Sequence, residues 1–273
     1  MNFPLRNIAL AISTTLLFAS CNKDETTAPA PTVVKEYSIK MSAANEISVN
    51  TRTETSIAAL KIFSDNSVTF TTTFSNFSGV DTIKAAHLHL GDAVNNGSIV
   101  LPFTIVATGA SVEAKALNVR QTLIDSLKNN VTDFYANVHS VQMPGGLARG
   151  QIGKNILQAY NVSLSGANEP TPVVTTATGI AIVRINEDNK LFSKITISNL
   201  ETADTLRFAH IHIGATGANG RVITNLADTR NDFGTTQTRM ISAGLADSIA
   251  TKMIYVNVHS NFSPGGKMRG QIR

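Results

Sequence analysis

The chain has 273 residues, of which 42% are hydrophobic and 15% are charged, and its formal net charge is +4. This length suits two domains of about 120 residues, each able to bury its own core. The basic residues are scattered and do not cluster with aromatics, which argues against binding to nucleic acid. The chain is rich in Thr, Ser, Asn, Val and Ile and has no Trp, a composition that favours an all-β fold.

The N-terminus has the features of a secretory signal. Arg6 supplies a positive start, residues 8–18 are mostly apolar, and Cys21 follows small residues. The apolar stretch is too short for a membrane span. The segment resembles a bacterial lipobox, which implies that residues 1–20 are a lipoprotein signal peptide and that Cys21 carries the lipid. The alternative is cleavage at Ala19 or Ser20, which would leave a free thiol.

Residues 21–35 are interpreted as a flexible tether, because the Thr- and Pro-rich run at 26–32 cannot build a core. The KDE sequence at 23–25 resembles the export tag of surface lipoproteins. Together these features predict a cell-envelope protein, attached to the outer membrane by its lipid and exposed at the surface.

After the tether the sequence repeats itself. Residues 42–46 (SAANE) match 165–169 (SGANE), and residues 86–91 (AHLHLG) match 209–214 (AHIHIG). Later, NVHS at 137–140 and PGGLARGQI at 144–152 match NVHS at 257–260 and PGGKMRGQI at 264–272. A period of about 120 residues indicates a duplicated domain. We assign the first domain to residues 36–155 and the second to residues 156–273.

Each copy contains the same predicted elements. In the first copy, alternation of apolar and polar residues predicts a strand at 67–74, helical spacing predicts a helix at 116–129, and strands are expected at 135–139 and 148–152. The second copy has the corresponding elements at 191–198, 243–253, 255–259 and 268–272. The Pro-Gly-Gly sequences predict turns. Each domain is therefore predicted to be a small antiparallel β-sandwich with one short helix.

All six histidines fall into two sets of three: His87, His89 and His139, and His210, His212 and His259. Residues i and i+2 of a strand point to one face and lie about 7 Å apart, so two imidazoles can face one point. A third from a neighbouring strand would give a copper or zinc site with an open fourth position. The alternative is that these histidines only form hydrogen bonds with backbone carbonyls or with nearby Asn and Ser side chains.

Two pairs of charged residues occupy matching places in the copies. Glu46 and Glu169 lie near the first strand of each domain, and Arg149 and Arg269 lie in the last. First and last strands are often neighbours in such sandwiches, which predicts the structural ion pairs Glu46–Arg149 and Glu169–Arg269. The alternative is that the arginines steer an anion towards the histidines.

Three blocks together resemble the CHRD domain, named after chordin: ANE near the start of each copy, AHxHxG in the middle, and YxNVHS followed by PGGxxRGQI at the end. This resemblance implies two tandem immunoglobulin-like, Greek-key sandwiches of undefined biochemical role. The histidine layout also resembles, more weakly, copper-zinc superoxide dismutase. The chain departs from that enzyme because it lacks a His-rich zinc loop, a cysteine pair and a fourth histidine for each site.

Two functions follow from these observations. The preferred one is a non-enzymatic binding or structural module at the cell surface, with the membrane and an unidentified protein or surface ligand as partners. The other is a copper- or zinc-binding protein, or a dismutase-like enzyme, with one three-histidine site in each domain. No hydrolase or phosphate-binding motif is visible.

Overall fold

The computed structural model of the protein describes residues 29–48, 50–129 and 133–273. The predicted signal peptide, Cys21 and most of the tether lie outside the described residues. Residues from Pro31 to Arg273 form one compact unit. The first strand begins at Val33, close to the predicted end of the tether at residue 35. In the described part of the chain, no helix has the length and apolar character needed to cross a membrane.

In the described residues, the first domain contains one antiparallel sheet, one α-helix and a short 3-10 helix at Ala43–Asn45. Its elements are β1 (Val33–Ser42), β2 (Thr55–Phe63), β3 (Val68–Thr73), β4 (Ile83–Leu90), β5 (Ile99–Pro102), β6 (Thr104–Thr108), β7 (Ser111–Ala116), α1 (Gln121–Asn129), β8 (Phe134–Ser140) and β9 (Ala148–Gln151). The strand order is β5-β4-β8-β9-β1-β2-β3-β7-β6.

The second domain repeats this plan with one strand fewer. Its elements are β10 (Ile156–Ser165), β11 (Thr178–Asn186), β12 (Lys190–Ser198), β13 (Leu206–Ile213), β14 (Val222–Ala227), β15 (Gln237–Met240), α2 (Ala243–Thr251), β16 (Ile254–Ser260) and β17 (Met268–Gln271). The strand order is β14-β13-β16-β17-β10-β11-β12-β15. Both domains are antiparallel β structures, as the sequence predicts.

Each sheet folds over on itself around an apolar core. β1 pairs with β2 along nearly its whole length, but it meets β9 only through Ser42 and Arg149, and β10 meets β17 only through Ser165 and Arg269. The sheet can therefore bend sharply between β1 and β9, and likewise between β10 and β17. Alternate side chains of β1 and β2 point inward and are buried, and the two halves of the sheet enclose them as a sandwich.

The structure corrects the start of the first helix. Helical spacing predicted a helix from residue 116, but residues 111–116 form β7, which pairs with β3 and β6. Asn118 has a φ of 53°, a left-handed conformation that interrupts any regular element. The helix begins only at Gln121, because the tertiary pairing of β7 takes precedence over local propensity.

The two domains share a buried interface. Ala93 and Val94 of the first domain pack against Ile156, Ile182 and Phe192. The fully buried Arg184 donates hydrogen bonds to the backbone oxygens of Glu46, at 2.9 Å, and Tyr160, at 2.8 Å. An arginine from the second domain therefore donates to the backbone of the first domain as well as to that of its own.

Candidate metal centre

The pairing of neighbouring strands brings each histidine triad together. In the first domain, β4 lies beside β8, so that His87 faces Asn137, His89 faces Tyr135 and Ala85 faces His139. Residues that face each other across an antiparallel pair point to the same side of the sheet. The second domain repeats this register with β13 and β16. Each triad therefore comes from two adjacent strands of one domain.

In both domains the ring nitrogens converge. Each histidine of a triad offers one nitrogen, and these atoms all lie within 4.8 Å of one another. The ring centroids are 5.7, 5.0 and 6.2 Å apart in the first domain and 5.6, 5.2 and 6.2 Å apart in the second. Ligands of a tetrahedral zinc ion stand about 3.4 Å apart. Ring movements of roughly an ångström would therefore bring the three nitrogens to bonding distance.

Backbone carbonyls define the tautomer of two histidines in each triad. The Nδ1 atoms of His89 and His139 lie 3.0 Å from the carbonyl oxygens of Gly97 and Pro144. A carbonyl oxygen only accepts, so Nδ1 must carry the proton and Nε2 must carry a lone pair. His212 and His259 bond the carbonyls of Gly220 and Pro264 in the same way. Histidines that bind metals are oriented by this kind of outer hydrogen bond.

The inner nitrogens have no hydrogen-bond partner. These buried atoms are Nδ1 of His87, Nε2 of His89 and Nε2 of His139, and Nδ1 of His210, Nε2 of His212 and Nε2 of His259. An unsatisfied buried polar atom costs about 1–3 kcal/mol, and the lone pairs of His89 and His139 also face each other without a donor. A cation in this position would remove the cost, so the donor set fits a metal ion that prefers nitrogen ligands.

The environment keeps the imidazoles neutral. Burial is the main cause that lowers the pKa of all six histidines. Neighbouring imidazoles lower it further in four of them: His87, His89, His210 and His259. The pKa of His210 falls to about 4. Neutral imidazole is the form that binds metal, so no proton has to be removed at neutral pH.

An aromatic and cationic stack supports one ligand in each triad. Tyr135 stacks on His89 with the ring centroids 4.8 Å apart and the planes inclined by 11°. On its other face, the guanidinium carbon of Arg149 lies 3.4 Å from the centre of the Tyr135 ring. Arg269, Tyr255 and His212 form the same stack, with values of 3.3 Å, 4.8 Å and 11°. Each arginine therefore packs on a tyrosine, which in turn packs on a histidine and restricts the position of its ring.

Gly97 and Gly220 complete this support, and neither was predicted as a site residue from the sequence. The Gly97 amide donates to the hydroxyl of Tyr135 at 3.0 Å, while its carbonyl accepts from His89. Gly220 makes the equivalent bonds to Tyr255 and His212. A Cβ atom on Gly97 would lie 1.4 Å from the Leu90 carbonyl oxygen. The Asn-Gly pair that occurs at this place in both copies was a signal that could have revealed them.

The predicted ion pairs Glu46–Arg149 and Glu169–Arg269 are not formed. Neither pair is among the salt bridges within 4.0 Å in the described residues. Arg149 donates instead to the backbone oxygens of Asp92 and Asn95, and Arg269 to those of Ala215 and Ala218. The tyrosine stack and these loop carbonyls are the partners of the two guanidinium groups, although Nη1 of Arg269 has no hydrogen-bond partner. Both arginines are only 1% exposed, which leaves them too enclosed to steer an anion.

The two glutamates lie beneath the Pro-Gly-Gly turns. Glu46 and Glu169 are buried, with 2% and 7% exposure. Their carboxylates occupy the places that a Cβ atom on Gly146 or Gly266 would fill, since such an atom would come within 2.6 or 2.7 Å of them. Burial raises the pKa of Glu46 to about 7 and also raises that of Glu169. The glutamates therefore support the turn that accepts the hydrogen bond of the third histidine.

Comparison with known proteins assigns the family. The model of the CHRD domain matches residues 37–152 and again residues 160–272. No curated protein and no solved structure matches the chain, so the likeness to superoxide dismutase has no support beyond the histidine layout. The matched residues include the histidines, the Pro-Gly-Gly turns and the arginines of the site. The chain belongs to the CHRD domain family and carries two copies of the domain.

Proposed function

We propose that this protein is a lipid-anchored envelope protein in which each CHRD domain binds one copper or zinc ion through three histidines. The observation that carries the proposal is the set of three buried ring nitrogens without hydrogen-bond partners that face one another in each domain. The outer hydrogen bonds to backbone carbonyls orient the rings for this task.

A purely structural role explains these contacts less well. A histidine that only stabilises a strand edge gains from partners for both nitrogens, whereas in two histidines of each triad Nδ1 is paired with a carbonyl and the buried Nε2 has no partner. The arrangement occurs twice, with centroid distances that differ by no more than 0.2 Å between the copies. Because the same atoms are unsatisfied in both triads, we infer that each triad binds a ligand of the same kind.

The three imidazole nitrogens limit which metals can bind. Imidazole nitrogens suit copper and zinc, whereas carboxylate and carbonyl oxygens suit magnesium and calcium. Nitrogen sites generally bind copper(II) more tightly than zinc. Three protein ligands leave a coordination position open for a small molecule.

Metal content measured on the purified chain tests the proposal. After loading with copper(II) or zinc and removal of free metal, we expect two ions per chain, one in His89→Ala or His212→Ala, and none in the double variant. The domain that is left unaltered is the control in each single variant. Less than about 0.2 ions per wild-type chain would overturn the proposal. A superoxide assay on the copper-loaded protein separates redox activity from binding.

The membrane attachment is proposed from Cys21 and the signal that precedes it. In a bacterial host, the full chain should incorporate labelled fatty acid and sediment with outer-membrane fractions. Cys21→Ser should lose the label and appear in the soluble fraction. A wild-type protein that remains unlabelled would refute lipidation while leaving the metal sites unaffected.

A further inference from the structure

The two histidine sites differ at one position of the rim. Ala85 faces His139 in the first domain, and Phe208 faces His259 at the equivalent place in the second. The Phe208 ring lies against two members of its triad, with its centroid 4.9 Å from that of His210 and 4.8 Å from that of His259. The methyl group of Ala85 cannot fill the same space.

A cation lies beside the aromatic ring. The guanidinium carbon of Arg207 is 5.2 Å from the centre of the Phe208 ring, within the range of a cation–π interaction. The exposed Lys84 occupies the corresponding sequence position next to Ala85. In the second domain the cation and the aromatic ring stack together, whereas the first domain has no ring in this position.

The difference changes the exposure of one ligand. His259 is buried, with 7% exposure, whereas its counterpart His139 is only half-buried. Each of these histidines donates a hydrogen bond from Nδ1 to a proline carbonyl oxygen at 3.0 Å, so the two rings have the same orientation. The Phe208 ring lies against His259, and Ala85 provides no ring in the equivalent place, so we attribute the lower exposure of His259 to Phe208.

We infer that Phe208 closes the second site to external ligands, whereas the first site keeps its open coordination position accessible to a small anion. The inference rests on the proposed metal binding. Three neutral imidazoles leave the charge of a divalent ion uncompensated, so an anionic ligand is favoured at the fourth position. The first domain would then exchange small ligands, and the second would hold its ion without exchange.

Titration of the copper(II)-loaded chain with azide tests this inference, because azide bound to copper gives a charge-transfer absorption. We expect one azide per wild-type chain, two in Phe208→Ala, and none in Ala85→Phe at the same concentration, an affinity loss of about tenfold or more. The second domain shows that the fold accepts Phe at this place. Equal azide binding at both wild-type sites, or no gain in Phe208→Ala, would overturn the inference.

Two further measurements separate this inference from the proposed function. The copper content should remain two ions per chain in all three proteins, and an absence of copper would refute the metal sites themselves. Access can also be measured without metal, through the rate at which diethylpyrocarbonate modifies each histidine. His139 should react several-fold faster than His259, Phe208→Ala should accelerate His259, and Ala85→Phe should slow His139. Similar rates for His139 and His259 would refute the role of Phe208 whatever the metal result.

Discussion

Each domain buries an aspartate, and the two domains pair this aspartate with different cations. Asp81 and Asp204 occupy equivalent positions before β4 and β13, and their side chains are fully buried. In the first domain, Arg52, from the segment that leads into β2, approaches Asp81 at 2.9 Å. In the second domain, Lys267, from the turn that leads into β17, approaches Asp204 at 3.2 Å.

The position that supplies the cation for the buried aspartate differs between the two domains. Lys267 corresponds to Leu147 in the first domain, and Arg52 corresponds to Thr175 in the second. Thr175 donates instead to Glu201, which is the other partner of Lys267. A buried carboxylate needs a cation and hydrogen bonds, but the cation can arrive from either side. The histidine triads, in contrast, keep nearly the same geometry in both copies.

The loops that support the triads also differ. In the first domain, residues of the second domain hold the loop: Thr236 donates to Asp92 at 2.7 Å, and Lys194 donates to Asn95 at 2.7 Å. The corresponding loop of the second domain, residues 215–219, is exposed. The first site has Ala85 where the second has Phe208, and its loop is held by more contacts.

The largest effect should come from Gly97→Ala and Gly220→Ala, which test the support shared by both domains. The added methyl group would lie 1.4 Å from the carbonyl oxygen of Leu90 or Ile213. We expect each change to destabilise its own domain by more than about 4 kcal/mol and to abolish metal binding there. Thermal unfolding and metal analysis measure both effects.

Gly145→Ala is the matched control, because a Cβ atom at Gly145 meets nothing within 4 Å. It should change stability by no more than about 0.5 kcal/mol. If Gly97→Ala were as stable as this control, the loop would not depend on its glycine.

Exchange of the cations between domains should have an intermediate effect. Lys267→Leu leaves Asp204 buried without its cation and should destabilise the second domain by about 3 kcal/mol. Adding Thr175→Arg, which copies the arrangement of the first domain, should restore part of this loss. Denaturant unfolding of the single and double variants gives the coupling between the two positions. The absence of any rescue would contradict the proposed equivalence of the two cations.

The smallest effect concerns pH and the buried glutamates. Burial raises the pKa of Glu46 to about 7, above its unfolded value of about 4.3. The folded state therefore holds the proton more tightly, and Glu46 favours folding at low pH and loses this contribution as the pH rises from about 4 to 7. Glu46→Gln should stabilise the first domain at pH 8 by about 1–3 kcal/mol, with no gain at pH 4.

Glu169→Gln provides the comparison in the second domain. Burial raises the pKa of Glu169 in the same direction, but Glu46 is the more deeply buried of the two, with 2% against 7% exposure. The gain at pH 8 should therefore be smaller than for Glu46→Gln. A stability gain in Glu46→Gln that did not change between pH 4 and pH 8 would show that ionisation is not its cause.

The sequence by itself determined the duplication, the all-β class and the histidines of each candidate site. These features follow from periodicity and repeated spacing along the chain, which do not depend on long-range contacts. The helix boundary at residue 116 was wrong because β7 is formed by pairing with β3 and β6, and local spacing does not reveal such partners.

Only the tertiary structure decided what surrounds the histidines. The partners of Arg149, the stacking of Tyr135 on His89 and the role of Gly97 depend on the register between β4, β8 and β9 and on the loop that follows β4. Ala85 and Phe208 acquire their significance in the same way, because each faces the third histidine across two strands. Cross-strand contacts join residues that are about 50 positions apart, and their geometry is set by packing of the whole sandwich.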